Sequence, residues 1–515
     1  MRHFLIVALI AALLGPALAL GPACQRSADA PVFTGEPSWP SPMKANLTIA
    51  LLGDVAMRNE SVLVFDLIKR RGADFAIHAG DFDYDNDPES WEQFIDRELG
   101  EYYPYFAVIG NHDQLRWSGY EKGIVNRMRR LGADNHCKGV PGISTVCNWE
   151  GFLFAMSGVG CRLGDHEEFL EEALGSYANP WKLCTWHKNQ RMYQIGGKLS
   201  TTGYGVYDAC RRAGALIHTG HEHSYSRTHL MSNFEKYAVA STDRDIHLSA
   251  GRTIAWVSGL GGRGVRDWNE DLVSNPWWAA VGASNNGIQE GALFCTFNIH
   301  GDPRRAFCEF EDIAGRIWDQ FQVFSHVDPH GVPAPQSRLE EELETRNRGD
   351  DLCRTRQFEV QVMRQKDNYI FDRASGTRVL TRDAALTVDE NQSVRLIFRD
   401  LPAEIPAGDL LSAHIQLLGL ESDQHELPLL RIGSPVGAAE PVAWSYEDEE
   451  WEASTVWTTP DLIDIVRDAY IAAEGGIIGP SVTVDISSVF GRRSFAAFEP
   501  DMCLAASLYV EYRSC

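Results

Sequence analysis

Five short stretches of this sequence carry side chains able to bind metal ions, and each follows an apolar run. They read Gly53-Asp54, Gly80-Asp81-Phe82-Asp83-Tyr84, Gly110-Asn111-His112-Asp113, Trp186-His187 and Gly220-His221-Glu222-His223. In several of them a glycine stands between the run and the ligand, which suits a sharp turn that lets the side chain point into a cleft. Asp and Asn oxygens with His nitrogens bind borderline divalent or trivalent ions. The donors are too many for one tetrahedral ion, so a two-metal site is the economical reading. Two ions about 3.5–4 Å apart can clamp a phosphoryl group and generate hydroxide near neutral pH.

The elements that must hold these stretches are short apolar runs alternating with amphipathic segments. The runs 48–52, 74–79, 105–109, 152–156, 182–186, 215–219 and 254–258 read as buried strands. Residues 60–71, 88–99 and 165–174 read as helices, with Asp87 as the cap of the second and Asp165 and Glu168 at capping-box spacing in the third. Residues 292–299, 306–311 and 318–324 read as hairpin strands that finish the region. Alternation of this kind indicates a layered α/β core with ligands bound beyond the strand C-termini.

Other polar residues carry weaker signals. Asp81, Asp83, Asp85, Asp87 and Glu92 fall at EF-hand spacing, but Asn86 stands where a glycine is needed and Pro88 lies in the loop. Asp83, Asp85 and Asp87 therefore read as a solvated face or as support for the ligands. His78 and His218 fall inside apolar runs and read as core residues or as support behind the ligands, not as ligands. His229, Arg116, Asn189 and Arg227 are either substrate contacts or surface residues. Gly259-Leu260-Gly261-Gly262-Arg263-Gly264 reads as a glycine-rich loop at the site, and Trp268, Trp277 and Trp278 either wall a pocket or pack.

The order and spacing of the five stretches resemble the calcineurin-like metallophosphoesterases over residues 51–225. Most of that family carries D-x-H at the first stretch, whereas this chain has Asp54-Val55-Ala56. Purple acid phosphatases also lack this histidine and use a tyrosine in GDxxY, where Tyr84 stands. Gly220-His221-Glu222-His223-Ser224-Tyr225-Ser226-Arg227 is similar to their GHxHxYxR stretch. The resemblance implies a four-layer α/β/β/α sandwich and a dinuclear centre. Its first ion would take Asp54, Asp81, Tyr84 and His223; its second would share Asp81 and take Asn111, His187 and His221. It further implies that Asn111 and His112 contact the phosphate and that His112 protonates the leaving oxygen. A metal-bound hydroxide would attack phosphorus, with Fe(III) beside Zn, Mn or Fe(II).

The chain has 515 residues and a net charge of −24, which argues against a nucleic-acid or anionic-membrane grip. Residues 1–19 read as a cleaved secretory signal, and no later run is long and apolar enough for a membrane helix. The 11 cysteines then meet an oxidising compartment, with Cys137–Cys147, Cys295–Cys308, Cys503–Cys515 and Cys161–Cys184 as expected pairs and Cys24 left over. Asn46, Asn59 and Asn391 lie in glycosylation sequons. The domains expected are a metallophosphoesterase domain at 46–327, a Pro-rich and acidic linker at 328–352, and a β-sandwich at 353–515 with one helix at 459–470. Trp457 to Leu462, Gly491 to Phe495 and Leu508 to Tyr512 are similar to jelly-roll modules of extracellular proteins, which implies carbohydrate binding or surface attachment. Trp444, Trp451 and Trp457 either stack on sugars or pack.

The expected protein is a secreted (extracellular, periplasmic or cell-surface) phosphoester hydrolase. The alternatives are a phosphodiesterase or nucleotidase with the same site, and a non-catalytic extracellular glycan-binding protein.

Overall fold

The computed structural model describes residues 31–328 except 39–41, 163 and 199–201, and, within 354–514, the strands, one helix and some of their connections. The signal at 1–19, Cys24, the 328–352 linker beyond Asp328, Asn391 and the Cys503–Cys515 pair lie outside the described residues.

In the first region the apolar runs form strands buried on both faces. Along Phe152–Ser157, Phe152, Phe154 and Met156 join one apolar cluster while Leu153 and Ala155 join another, the two-residue alternation of a strand. A seven-stranded sheet runs Asp245–Leu248, Ile317–Ser325, Arg305–Asp312, Gly291–Phe297, Leu47–Leu52, Phe75–His78, Tyr105–Ala107. Its last three strands are parallel, and the antiparallel hairpins expected near 292–324 complete it. A nine-stranded sheet contains the parallel strands Phe152–Ser157, Lys182–Trp186, Leu216–Thr219 and Ala255–Ser258.

Aromatic rings join the sheets face to face: Phe106 lies 4.8 Å from Phe154, and Phe152 4.6 Å from Phe297, centroid to centroid. Each buried phenyl contributes about 2 kcal/mol from area alone. Helices Asn59–Arg70, Pro88–Glu98 and Trp117–Arg130 cover the outer face of the seven-stranded sheet, where Phe65 meets Tyr105 and Phe94 at 6.0 and 5.0 Å. Helices His166–Gly175 and Gly205–Arg212 cover the other, with Tyr207 edge-on to Trp186 at 4.9 Å. The layers are α/β/β/α, as the resemblance implied.

Local corrections follow from packing. Cys184 pairs with Cys210, not Cys161. Cys184 lies with Trp186 on the outer face of its strand, toward helix Gly205–Arg212, while Cys161 is a free, buried thiol packed in the inner cluster. The pairs Cys137–Cys147 and Cys295–Cys308 are present as expected. Asp87 caps its helix by accepting from the Ser90 N–H, but Asp165 precedes its helix without a side-chain cap, so the capping box is absent. No described helix is long and apolar enough to cross a membrane.

All described strand pairs of the second region are antiparallel. A four-stranded sheet (Arg354–Gln361, Ser507–Ser514, Leu410–Leu418, Val456–Thr458) and a six-stranded sheet that includes Gln392–Phe398 and Val482–Phe490 share one core. Val394, Leu396, Val484 and Ile486 from one sheet and Ile415, Leu417, Leu508 and Val510 from the other are buried together, which makes a β-sandwich. Its helix begins at Ile463 rather than near Pro460. Asp461 accepts from the N–H groups of both Ala413 and Ile463, and the Thr459 N–H donates to Ile415, so residues 459–462 serve the strand edge first. Trp444 is buried in this core and is not a sugar platform.

A buried ion pair links the two sheets of the first region. Arg227 Nε and Nη2 donate to Asp319 at 2.6 and 3.0 Å, and the Tyr225 hydroxyl donates to the same carboxylate at 2.8 Å. Arg227 is therefore neither a substrate contact nor a surface residue. Removing one partner of such a pair strands the other charge. We expect Asp319→Ala to lower unfolding free energy by about 3–5 kcal/mol, read from urea denaturation midpoints; a loss below about 1 kcal/mol would show that water or another group neutralises Arg227.

Candidate metal centre

All five ligand-bearing stretches leave the C-terminal ends of parallel strands. Asp54 follows Leu47–Leu52, Asp81 follows Phe75–His78, Asn111 follows Tyr105–Ala107, His187 follows Lys182–Trp186 and His221 follows Leu216–Thr219. The first two loops are tied by backbone: the Asp54 N–H donates to Gly80 and the Val55 N–H to Asp81, both at 3.0 Å. Gly80 has φ +84°, and a Cβ there would lie 2.7 Å from Gly110 and 2.9 Å from His187, so only glycine lets the loops from the two sheets close. Asp54, Asp81, Tyr84 and His221 all sit at φ between +59° and +69°, a conformation uncommon outside glycine that clusters at functional sites.

These turns gather the donor atoms into two neighbouring groups. In one, Tyr84 Oη lies 3.1 Å from Asp54 Oδ1 and 3.0 Å from His223 Nε2, and His223 Nε2 is 3.4 Å from Asp54 Oδ1. In the other, His187 Nε2 lies 3.0 Å from Asn111 Oδ1 and 3.2 Å from Asp81 Oδ2. One donor atom each of Asp81, His187 and His221 lies within 4.8 Å of the other two. Ligands bound at about 2.1 Å and roughly right angles stand about 3.0 Å apart, so the spacing is that of a coordination shell. His112 packs its ring 4.3 Å from that of Tyr84 and puts Nε2 4.0 Å from Asp81 Oδ2, without joining either group. Every residue singled out as a ligand from sequence is brought here.

The electrostatics suit cations. Burial raises Asp54 to about 7, opposed by His187 and reinforced by Asp81. Burial pushes Asp81 up as well, but the imidazoles of His187 and His112 bring it below the ordinary carboxylate range. Burial lowers His221 and His223, and the nearby charges of Lys198 and Arg266 lower them further, which keeps both imidazoles in the neutral, ligating form. Tyr84 is pushed well above its usual value by burial and by the two carboxylates, so a phenolate there requires a cation beside it.

Supporting groups fix the ligands. His187 Nδ1 donates to the Ala79 carbonyl at 2.7 Å, which turns Nε2 toward Asn111 and Asp81. The Asp113 carboxylate accepts from the N–H groups of Asp81, Phe82 and Gly110 at 2.7–3.0 Å and clamps two ligand loops together. Asp83 is buried and accepts from the N–H groups of Asp85, Asn86 and Asp87 and from the Tyr120 hydroxyl, while Asp85 and Asp87 are exposed. The acidic run is therefore loop scaffolding rather than a calcium loop. His78 and His218 are core residues, bonded to the Tyr105 and Thr185 hydroxyls. Asn189 donates to the Gly220 carbonyl and so supports the site rather than facing solvent. Arg116 is exposed, the His229 N–H donates to Trp277, and Trp277 packs against Tyr237 at 4.9 Å.

The glycine-rich loop lies against the first ligand group. Gly261 N–H donates to Gly53, Arg263 N–H to Asp54 and Arg266 N–H to His223. The Arg263 guanidinium stands 4.7 Å from the centre of the Tyr84 ring. Neither arginine was singled out as a site residue from sequence, and neither were Asp113, Lys188 or Lys198. The only available signals were that Arg263 lies inside the loop and that Lys188 directly follows His187.

Among solved structures, the chain is similar to a purple acid phosphatase from yellow lupin (Lupinus luteus) seeds, at 16% identity and a TM-score of 0.44. That match covers 57% of this chain and 56% of the lupin protein, so it spans little more than half of that relative's length. GAP50, the anchor in the inner membrane complex of Plasmodium, is similar at 14% identity over 56% of this chain and 93% of its own, with a TM-score of 0.37. PhoD is similar at 12% identity over 60% and 79%, with a TM-score of 0.36. No curated protein matches the chain. Residues 47–225 match the family model for calcineurin-like phosphoesterase, the same stretch that supplies all five ligand loops, and the chain carries a calcineurin-like phosphoesterase domain there.

Proposed function

We propose that this protein is a secreted phosphoester hydrolase of the purple-acid-phosphatase kind, acting at a dinuclear centre held by Asp54, Asp81, Tyr84, Asn111, His187, His221 and His223. The observation that carries this reading is the position of Tyr84. Its phenol oxygen lies 3.1 Å from Asp54 and 3.0 Å from His223, in a chain that has Ala56 where most relatives place a histidine. Two bound ions would supply Lewis acidity at phosphorus and a hydroxide nucleophile near neutral pH. A phenolate ligand favours Fe(III) at the first position, with Zn, Mn or Fe(II) at the second.

The chain's own residues do the remaining work. His112 lies at the edge of the donor set, with 13% of its side chain exposed, and is placed to give a proton to the leaving oxygen. Asn111 and His112 orient the phosphoryl group. Arg263 lies over the Tyr84 ring, the Arg266 N–H donates to His223, and the charges of Lys188, Lys198 and Arg266 bear on His221. In a chain of net charge −24 these cations favour the approach of an anionic ester. The disulfides Cys137–Cys147, Cys184–Cys210 and Cys295–Cys308 support an oxidising compartment.

Bound-metal analysis with a screen of monoesters, diesters and nucleotides tests this function; wild type that hydrolyses no phosphoester with any metal would leave the glycan-binding reading in its place. We expect a visible tyrosinate-to-iron absorption that vanishes in Tyr84→Phe, and a metal-replete, active but colourless wild type removes iron from the account. His112→Ala should keep its metals and lose about 100-fold or more in kcat. Arg263→Ala should raise KM for a monoester about tenfold, the equivalent of one charge-assisted hydrogen bond, with a smaller change in kcat; an unchanged KM would exclude Arg263 from substrate binding.

A further inference from the structure

Two loops meet beside the donor set, and hydrogen bonds fix both of them. In residues 194–198 the buried Gln194 accepts from the Gly196 N–H at 3.1 Å through Oε1 and donates to the Lys198 carbonyl through Nε2. A Cβ at Gly196 would stand 2.1 Å from the carboxyl carbon of Glu222, so this loop rests directly on the residue between His221 and His223. The Asn269 N–H donates to the Ile195 carbonyl at 2.7 Å, which ties the loop to the segment that follows the glycine-rich one. That second segment is itself held to the site, with the Arg263 N–H on Asp54 at 3.1 Å and the Arg266 N–H on His223 at 2.9 Å.

Exposure separates the floor of the site from its mouth. Asp54, Asp81, Asn111 and His187 are buried, whereas Tyr84, His112, His221, Lys198, Arg263 and Arg266 are half-buried. The mouth thus carries three cations on two loops bonded to each other. The Arg263 guanidinium and the His112 ring both pack on Tyr84, at 4.7 and 4.3 Å from the centre of its ring. After burial, the charge of Lys198 is the main influence that lowers His221, while burial, Arg266 and then Lys198 lower His223. The acids next to these residues in sequence, Asp85 and Asp267, are exposed, where water and salt screen them. A cation held by a fixed loop loses little freedom when it meets a ligand.

On the function proposed above, on which this inference rests, the transferred phosphoryl group carries about −1.5 to −2 charge and is met by the bound ions with Asn111 and His112. Three more cations at the mouth exceed what that group needs, and a second phosphoryl group supplies about −1.5 to −2 more. We propose that Lys198, with Arg263 and Arg266, binds a second phosphoryl group of the substrate, and that Gln194 positions Lys198 to do so. The test is calorimetry on the metal-loaded full chain with three probes that cannot be hydrolysed, bound metal being checked after each titration. Methylphosphonate carries one phosphoryl group, methylenediphosphonate two at the spacing of an anhydride, and 1,4-butylenediphosphonate two at that of a bisphosphate ester. Wild type should bind one of the diphosphonates about tenfold or more tighter than methylphosphonate, and which one identifies the linkage. Lys198→Met should lose about tenfold of that preference, the size of one charge-assisted hydrogen bond, and Lys198→Arg should keep most of it. Gln194→Leu changes no charge and should lower the preference as well. Equal binding of all three probes by wild type, or an undiminished preference in Lys198→Met, would overturn the subsite. A loss as large in Lys198→Arg would show that loop packing and not charge is at work, and a full preference in Gln194→Leu would remove its positioning role. Preference without hydrolysis of any phosphoester sinks the hydrolase reading and keeps the subsite; hydrolysis without preference does the reverse.

Discussion

Asp54 and Asp81 are two carboxylates buried at the ends of adjacent parallel strands, and the organisation of this domain follows from keeping them there. Backbone bonds from Asp54 to Gly80 and from Val55 to Asp81 fix their loops against each other. The side chains cannot swing away to relieve their repulsion. Burial with a like charge nearby moves Asp54 up to about 7 while two imidazoles hold Asp81 down. A pair arranged this way is stable in its doubly ionised form only when positive charge lies between its members. The imidazoles, the amide and the phenol around it are oriented to share that charge.

Holding such a site costs conformational energy as well as electrostatic energy. Four of the ligand residues sit in the left-handed region, at about 1–3 kcal/mol each. That strain persists because the turns are over-determined by what flanks them. Each follows a strand buried on both faces, and Asp113 satisfies three N–H groups that the turns would otherwise leave unpaired. The aromatic core thus acts on chemistry indirectly. Phe106, Phe152 and Phe154 set the spacing of the sheets, and the sheets set how near His187 and His221 come to Asp81.

The side chains that the fold brings together were legible in the sequence because each obeys a local rule: an apolar run, a tight turn, then a donor. The strands carrying them were legible for the same reason, being short and apolar throughout. Helix Trp117–Arg130 was not, since Gly119 and Gly123 interrupt its pattern and no side chain caps its start. Its formation depends on tertiary packing, as Gly119 lies so close to Pro88 that a Cβ would stand 2.6 Å from the ring. Cys184 illustrates a second limit. Which face of a strand a cysteine occupies, and which helix covers that face, is settled by layer order and not by sequence separation. The arginines beside Tyr84 show a third, since a cation in a glycine-rich loop has no pattern of its own until the loop's partner is known.

On the proposed reading a phenol stands where an imidazole would hold the first ion, and that changes more than one ligand. With Asp54, Asp81 and a phenolate at Tyr84, the donor set carries three negative charges instead of two. The surroundings of Tyr84 do not make that anion easy: burial and both carboxylates oppose it, while Arg266 and Arg263 pull the other way. The rest of the stabilisation has to come from the bound ion, and an ion of higher charge supplies more of it. On the proposed reading, trivalent iron at that position is thus a consequence of the charge balance around one buried ring. The Arg263 guanidinium, 4.7 Å from the centre of that ring, would then bear on both the phenolate and an arriving anionic ester.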